Sequence, residues 1–166
     1  MPVFYLDTSA LVKRYRTEQG TEIVQQLLDN PSPEDRLFIS LFSIIELTSG
    51  ILRLAKGGQL SQDTANQILA RFRRDVQKLF RVSPLNDDIA VDAVTVVEEH
   101  RLRSADAIHL ATAQRVASLA SPAQVVMVSS DRELLDAAAA AGLHALDPQA
   151  RGSAEKLDTL KRRSAH

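Results

Sequence analysis

Short apolar runs alternate along the chain with longer stretches in which apolar residues return every three or four positions. The runs predict buried strands at residues 3–6, 37–39, 81–85, 125–128 and 143–146. The longer stretches predict helices at residues 9–15, 21–29, 43–56, 61–80, 87–99, 104–119 and 131–141. Strands separated by helices are typical of an α/β fold, with a central, mainly parallel β-sheet of about five strands flanked by helices.

The length and composition fit one globular domain. A chain of 166 residues can bury most of its unfolded surface in a single core. A hydrophobic content of 45% and a charged content of 25% exclude a disordered or collagenous chain. We assign residues 1–147 to this domain. Residues 148–166 carry five basic residues and few apolar ones, so we expect a flexible basic tail with at most a frayed helix near residues 155–163.

Other counts exclude whole classes of function. The chain has no cysteine, which rules out disulfides, thiolate metal sites and thiol nucleophiles. The first residues lack the basic segment of a secretory leader, and no apolar run approaches the roughly 18–20 residues that span a bilayer. We therefore expect a cytoplasmic protein without a membrane partner. The net charge is −1, so any binding of nucleic acid must rely on local charge.

Four carboxylates occupy positions that suit metal chemistry. Asp7 and Asp131 each follow an apolar strand and open a helix, which puts both at the carboxyl edge of a parallel sheet, where ligands usually bind. Glu46 lies inside an apolar stretch, where a buried carboxylate needs a partner or a cation. Asp106 stands near the start of the helix at residues 104–119. Carboxylates brought close together repel one another without a cation, and oxygen ligands suit Mg²⁺ or Mn²⁺.

Each of these acids also has an ordinary structural explanation. The two strand-end aspartates could simply cap the helices that follow them. Glu46 could pair with Arg53 on a partly exposed flank, and Asp106 would be favoured near any helix N-terminus. His109 follows Asp106 by three residues, but a lone histidine among apolar neighbours is more often a packing residue. We therefore leave His109 outside the predicted ligand set.

A basic segment precedes an acidic one in the middle of the chain. Residues 51–81 hold seven Lys or Arg against two Asp, whereas residues 82–100 hold five acids and no Lys or Arg. Four basic residues follow one another at spacings of three, four and three, and such a row could follow a phosphate backbone. They are Arg71, Arg74, Lys78 and Arg81. The alternative is a solvated outer face that meets the acidic segment. An aromatic content of 4% argues against extensive base stacking, so a nucleic acid bound here would be recognised by its shape and its phosphates.

Four stretches resemble, in order and spacing, the motifs of the PIN-domain family, specifically the VapC-like toxins of bacterial and archaeal toxin–antitoxin pairs. The resemblance covers residues 3–147, and the matching stretches are residues 5–13, 43–47, 104–113 and 128–131. It implies a single PIN-like domain and a metal-dependent endoribonuclease. By this resemblance Asp7, Glu46, Asp106 and Asp131 form an acidic pocket that holds Mg²⁺ or Mn²⁺ and performs the cleavage.

The same resemblance implies supporting residues and partners. Thr8, Ser9 and Ser129 occupy positions where the family often has a hydroxyl near the site. A cognate antitoxin is expected to silence the enzyme, and the protein is expected to form a homodimer. One alternative is a PIN-fold RNA-binding or assembly module with little turnover. A haloacid-dehalogenase-like phosphatase is discounted, because that chemistry needs a second acid where Ser9 stands.

Overall fold

The computed structural model describes residues 2–29, 31–119 and 125–162, and the predicted α/β fold is confirmed there. A sheet of five parallel strands has the order β3-β2-β1-β4-β5. The strands are β1 (Val3–Leu6), β2 (Arg36–Ser40), β3 (Arg81–Ser83), β4 (Val125–Val128) and β5 (His144–Leu146). The helices are α1 (Thr8–Leu11), α2 (Thr21–Asp29), α3 (Leu41–Lys56), α4 (Gln62–Lys78), α5 (Asp87–His100), α6 (Ser104–Leu119), α7 (Arg132–Ala140) and α8 (Ser153–Arg162).

The central strand β1 is buried on both faces, as its continuous apolar run predicted. Phe4 and Leu6 face a layer that includes residues of α2, α3, α4 and α8, whereas Val3 and Tyr5 face residues of α5, α6 and α7. Helices thus cover both faces of the sheet, which is the usual arrangement for parallel strands. Because all five strands run in the same direction, their carboxyl ends lie along one edge.

Most of the predicted elements are present, with small shifts at their ends. The first predicted helix is shorter than expected: α1 ends at Leu11 and a 3₁₀ turn continues through Val12–Arg14. Three further helices begin at polar caps, where the side chains of Ser40, Ser61 and Asn86 accept a hydrogen bond from a backbone N–H of the first turn. The loop around Asn30, predicted as a helix stop, lies partly outside the described residues.

The expected flexible tail is wrong for the part of it that the structure describes. Residues 148–152 lead into helix α8, whose Leu157 is fully buried and whose Leu160 is 6% exposed within the layer that covers Phe4 and Leu6. Gly20 has a φ of +86°, and a Cβ there would lie 2.7 Å from the carbonyl oxygen of Pro148. Two well-placed leucines therefore dock a segment that its composition marked as a tail.

Candidate active site

The four predicted acidic residues come from elements that begin or end at the carboxyl edge of the sheet. Asp7 directly follows β1, and Asp131 follows β4 after two serines. Glu46 lies in the second turn of α3, which begins where β2 ends. Asp106 lies in the first turn of α6. The fold thus carries residues 124 positions apart in the sequence to one edge of the molecule, as a parallel sheet does.

Asp7 is almost completely buried and is held by three neighbours. Its Oδ1 accepts hydrogen bonds from the backbone N–H of Ala10 at 2.9 Å and from the Ser9 hydroxyl at 2.8 Å. Its Oδ2 accepts one from the Ser129 hydroxyl at 2.7 Å. Burial raises the pKa of Asp7, although His109, when protonated, and these hydrogen bonds act in the opposite direction. Asp7 therefore caps α1 and also faces the site, so the two interpretations of this residue are compatible.

Serine hydroxyls join the ends of β1 and β4. Ser129 is fully buried, and its Oγ accepts a hydrogen bond from the backbone N–H of Asp131 at 2.9 Å. The Oγ of Ser9 accepts one from the backbone N–H of Ser130, also at 2.9 Å. Asp131 in turn caps α7 by accepting from the N–H of Leu134 at 3.1 Å. The two serines that the sequence marked as supporting residues thus fix the loop that carries Asp131.

Glu46 takes its hydrogen bonds from across the site and not from Arg53. The hydroxyl of Thr8 donates to its Oε2 at 2.6 Å, and Nε2 of His109 lies 2.8 Å from the same oxygen. Burial alone would raise the pKa of Glu46, but the hydrogen bonds from His109 and Thr8 outweigh it, and the pKa is lowered. These contacts therefore favour the ionised form of Glu46, whose side chain is 27% exposed.

The pKa of Asp106 is affected by the other acids. Its pKa is raised, first by partial burial and next by the negative charge of Asp131, with smaller contributions from Asp7 and Glu46. His109, when protonated, acts against this shift. Because such repulsion requires the carboxylates to lie near one another, the structure brings all four predicted acids into one electrostatic cluster.

The donor chemistry of this cluster suits a hard divalent cation. Carboxylate and hydroxyl oxygens are the ligands that Mg²⁺ and Mn²⁺ prefer, and a cation would offset the repulsion at Asp106. Ser130 Oγ, beside Asp131, is buried without a hydrogen-bond partner among the described residues. The site therefore contains a polar oxygen that the neighbouring protein groups leave unsatisfied. Within those residues, no three His, Asp or Glu side chains enclose a single point. The carboxylate of Asp7 faces the serines, and that of Glu46 faces His109. The acids therefore supply suitable ligand atoms for the ion but do not surround one point.

Sequence reasoning left His109 outside the ligand set and did not predict its contact with Glu46. Its side chain is 2% exposed, and its two ring nitrogens contact Tyr5 and Glu46. The spacing from Asp106 places both residues near one side of α6, which was the only signal available. The partner Glu46 lies 63 positions away, and no local pattern can show that contact.

The predicted row of four basic residues is divided between α4, which carries three of them, and β3, which carries Arg81. Arg71 lies over the ring of Tyr15, with 5.8 Å between its guanidinium carbon and the ring centroid. Arg74 and Lys78 are exposed on α4. Arg81 begins β3 and, with Arg36, lines a cavity of about 530 Å³ bounded by β2, β3, α5 and α6. Arg81 therefore faces a different layer from Arg71.

A bilayer-spanning helix is absent from the described part of the chain, since no helix there is both long enough and apolar enough.

Comparison with known proteins agrees with the fold. The family model of the PIN domain matches residues 4–141. Because this match spans most of the chain, the protein belongs to the PIN-domain family. Ribonuclease VapC35 of Mycobacterium tuberculosis is 33% identical to it over 146 residues, which cover 88% of this chain and 97% of VapC35. The resemblance to the VapC-like members of the family is thereby confirmed.

Solved structures share the fold. The crystal structure of FitAcB from Neisseria gonorrhoeae superposes with a TM-score of 0.65 and 21% identity, covering 87% of this chain and 97% of that chain. A toxin–antitoxin complex from Klebsiella pneumoniae contains a chain that superposes with a TM-score of 0.53 and 24% identity, covering 76% of this chain and 85% of that chain. At these identities the likeness establishes the architecture alone.

Proposed function

We propose that this protein is a Mg²⁺- or Mn²⁺-dependent endoribonuclease that acts as the toxin of a toxin–antitoxin pair. The observation that carries the proposal is the cluster of four acids at the carboxyl edge of the sheet, in which the pKa of Asp106 is raised by burial and by its acidic neighbours. The relative VapC35 is named a ribonuclease, which supports RNA as the substrate.

The acids and the residues that contact them have different roles in this proposal. Asp7, Glu46, Asp106 and Asp131 would hold the metal, which when bound lowers the pKa of a water molecule and stabilises charge on the leaving oxygen. Ser9 and Ser129 hold the Asp7 carboxylate in one orientation. Thr8 and His109 keep Glu46 ionised.

The exposed basic residues of α4 provide a surface for the phosphate backbone. We propose that Arg74 and Lys78 contact phosphates, and that Arg71 and Arg81 contribute less because Arg71 stacks on Tyr15 and Arg81 lines the cavity beside β3.

Changing Arg74 and Lys78 together to Gln tests this surface. The logarithm of the RNA-binding constant decreases linearly with the logarithm of the salt concentration. If both residues neutralise phosphates of a single strand, the magnitude of this slope should be smaller by about 1.4 in the double variant. The slope is measured by titrating RNA into the metal-free protein at several salt concentrations. The exposed Lys156 on α8 is the matched control, and Lys156→Gln should leave the slope unchanged. An unchanged slope in the double variant would favour the solvated-face explanation.

Protein partners are part of the same proposal. The Klebsiella pneumoniae relative is described as a toxin–antitoxin complex, which supports a cognate antitoxin here. Large apolar side chains are exposed on two helices, and such patches are typical of protein interfaces. We propose that the antitoxin and a second copy of the chain cover them; they comprise Leu41, Ile45 and Leu52 on α3 and Val91 and Val94 on α5.

Cleavage of total cellular RNA by the purified protein tests the function directly. The protein is incubated with Mg²⁺, Mn²⁺ or EDTA beside an Asp7→Asn/Asp106→Asn double variant. The matched control is Asp136→Asn, which changes an exposed acid on α7. We expect discrete, metal-dependent bands from the wild type and the control and none from the double variant. Retained RNA binding without cleavage under any metal would instead support an RNA-binding module.

A further inference from the structure

The contacts of His109 join three elements of the site. Its Nε2 lies 2.8 Å from Glu46 Oε2 on α3, and its Nδ1 lies 3.0 Å from the hydroxyl oxygen of Tyr5 on β1. The ring is packed against Phe42, with 5.5 Å between the ring centroids. Since His109 itself belongs to α6, the imidazole is fixed on several sides and has little freedom to turn.

We propose that His109 is a positioning residue for the metal centre, which fixes Glu46 through Nε2–H while Tyr5 selects the required tautomer. The inference rests on the proposed function only in taking Glu46 as a metal ligand. It assigns roles to two side chains, His109 and Tyr5, that lie outside the acidic set.

The tautomer follows from the two neighbours of the ring. The Glu46 carboxylate can only accept a hydrogen bond, so at 2.8 Å the facing Nε2 must carry a proton. In the neutral ring Nδ1 is then an acceptor, and the Tyr5 hydroxyl is suitably placed to donate to it. Tyr5 and Glu46 therefore favour the same tautomer.

Both donors to Glu46 use one oxygen. Thr8 and His109 bind Oε2, at 2.6 and 2.8 Å, and Oε1 accepts no hydrogen bond from the described residues. The arrangement holds the carboxylate in one orientation and leaves Oε1 available to a cation. Partners of this kind typically change metal affinity by 10- to 100-fold when they are removed.

A core histidine that merely fills space would make the same contacts, so the test must measure metal binding. Mn²⁺ is titrated into the purified, RNA-free protein by calorimetry at constant pH. We expect His109→Leu to weaken Mn²⁺ binding by about 10- to 100-fold. His109→Gln can still place a donor near the position of Nε2 and should retain most of the affinity. His109→Asn, which is too short to reach Glu46, should behave like His109→Leu.

Two further variants separate positioning from general destabilisation. Tyr5→Phe keeps the ring and removes only the hydroxyl, and we expect a smaller loss of Mn²⁺ affinity than in His109→Leu. Val116→Ala opens space in the buried face of the same helix, away from Glu46, and should bind Mn²⁺ like the wild type. If His109→Leu does not fold, the comparison of His109→Gln with His109→Asn decides the question.

The possible outcomes distinguish this inference from the proposed function. Wild-type affinity in His109→Leu, equal losses in the Gln and Asn variants, or an equal loss in Val116→Ala would overturn the positioning role. Absence of Mn²⁺ binding by the wild type would overturn it as well. Metal-dependent RNA cleavage with unchanged affinity in the variants would leave the function standing without the inference. His109-dependent Mn²⁺ binding without any RNA cleavage would leave the inference standing without the function.

Discussion

At the scale of single residues, the acids of this site serve the fold and the chemistry together. Asp7 and Asp131 cap helices α1 and α7 through the same carboxylates that face the cluster. A cap fixes the side chain against the backbone, which reduces the entropy lost when a ligand binds. A substitution at such a position therefore changes stability as well as activity, and the two effects must be measured separately.

Asp7→Ala and Asp7→Asn should separate these effects. Alanine removes the acceptor of one backbone N–H and two serine hydroxyls, so the free energy of unfolding should fall by about 1–3 kcal/mol. Asparagine keeps an acceptor and avoids burying a charge, so the free energy of unfolding should fall less in Asp7→Asn than in Asp7→Ala. Asp7→Asn nevertheless removes the charge needed for a metal. Urea unfolding measures both, with Asp136→Ala as an exposed control. Equal stability of the two Asp7 variants would contradict the capping argument.

Asp131→Asn should lower the pKa of Asp106. After burial itself, the negative charge of Asp131 makes the largest contribution to raising this pKa. Removing that charge stabilises the ionised carboxylate of Asp106, so its titration moves to lower pH. Carboxyl ¹³C shifts followed by NMR in the metal-free protein measure the change. Asp136→Asn serves as the control, and an unchanged Asp106 titration in Asp131→Asn would show that the two groups are not coupled.

At the scale of elements, the parallel sheet converts distant sequence positions into one site. The ends of β1 and β4 bring Asp7 and Asp131 together because these strands are hydrogen-bonded neighbours in register. α3 begins immediately after β2, the other neighbour of β1, and so carries Glu46 to the same edge. Helix α6 contributes Asp106 together with His109. The order of strands therefore decides which acids meet.

Helix α8 should contribute measurably to stability although it lies outside the family match. Leu157 is fully buried, and its replacement by Ala should lower the free energy of unfolding by about 2–5 kcal/mol. Lys156→Ala, on the exposed side of the same helix, should change it by no more than about 0.5 kcal/mol. Urea unfolding of both variants compares the two positions. An unchanged free energy of unfolding in Leu157→Ala would instead support the expectation of a flexible tail.

At the scale of the whole molecule, the sequence predicted the layers better than the contacts between them. Periodicity located the strands and most helices, because each one shows a local apolar pattern. For α8 it indicated only a frayed helix and not its docking, because two buried leucines are a weak signal within a polar segment. Nor did it reveal the pair of Glu46 and His109, since two elements far apart in sequence supply it. The placement of Asp7 and Asp131 at the carboxyl edge was predictable because each follows a strand, whereas Glu46 was marked only by its apolar neighbours.

Binding of Mg²⁺ or Mn²⁺ should stabilise the whole molecule, and more strongly at neutral than at acidic pH. A ligand at 100 times its Kd adds about 2.7 kcal/mol to the free energy of unfolding. Asp106 and Asp7 have raised pKa values, so folding without metal favours their protonated forms, and stability falls as they ionise with rising pH. A cation offsets that loss, whereas at low pH protons occupy the same oxygens.

We therefore expect the metal-induced rise in Tm to be larger at pH 7.5 than at pH 5, because more of the carboxylate oxygens are free to bind the ion at the higher pH. Differential scanning calorimetry with and without Mn²⁺ measures the rise at each pH. The Asp7→Asn/Asp106→Asn variant should show little rise at either pH, because it lacks two of the four proposed ligands. An equal rise in the wild type and this variant would place the stabilising ion elsewhere on the molecule.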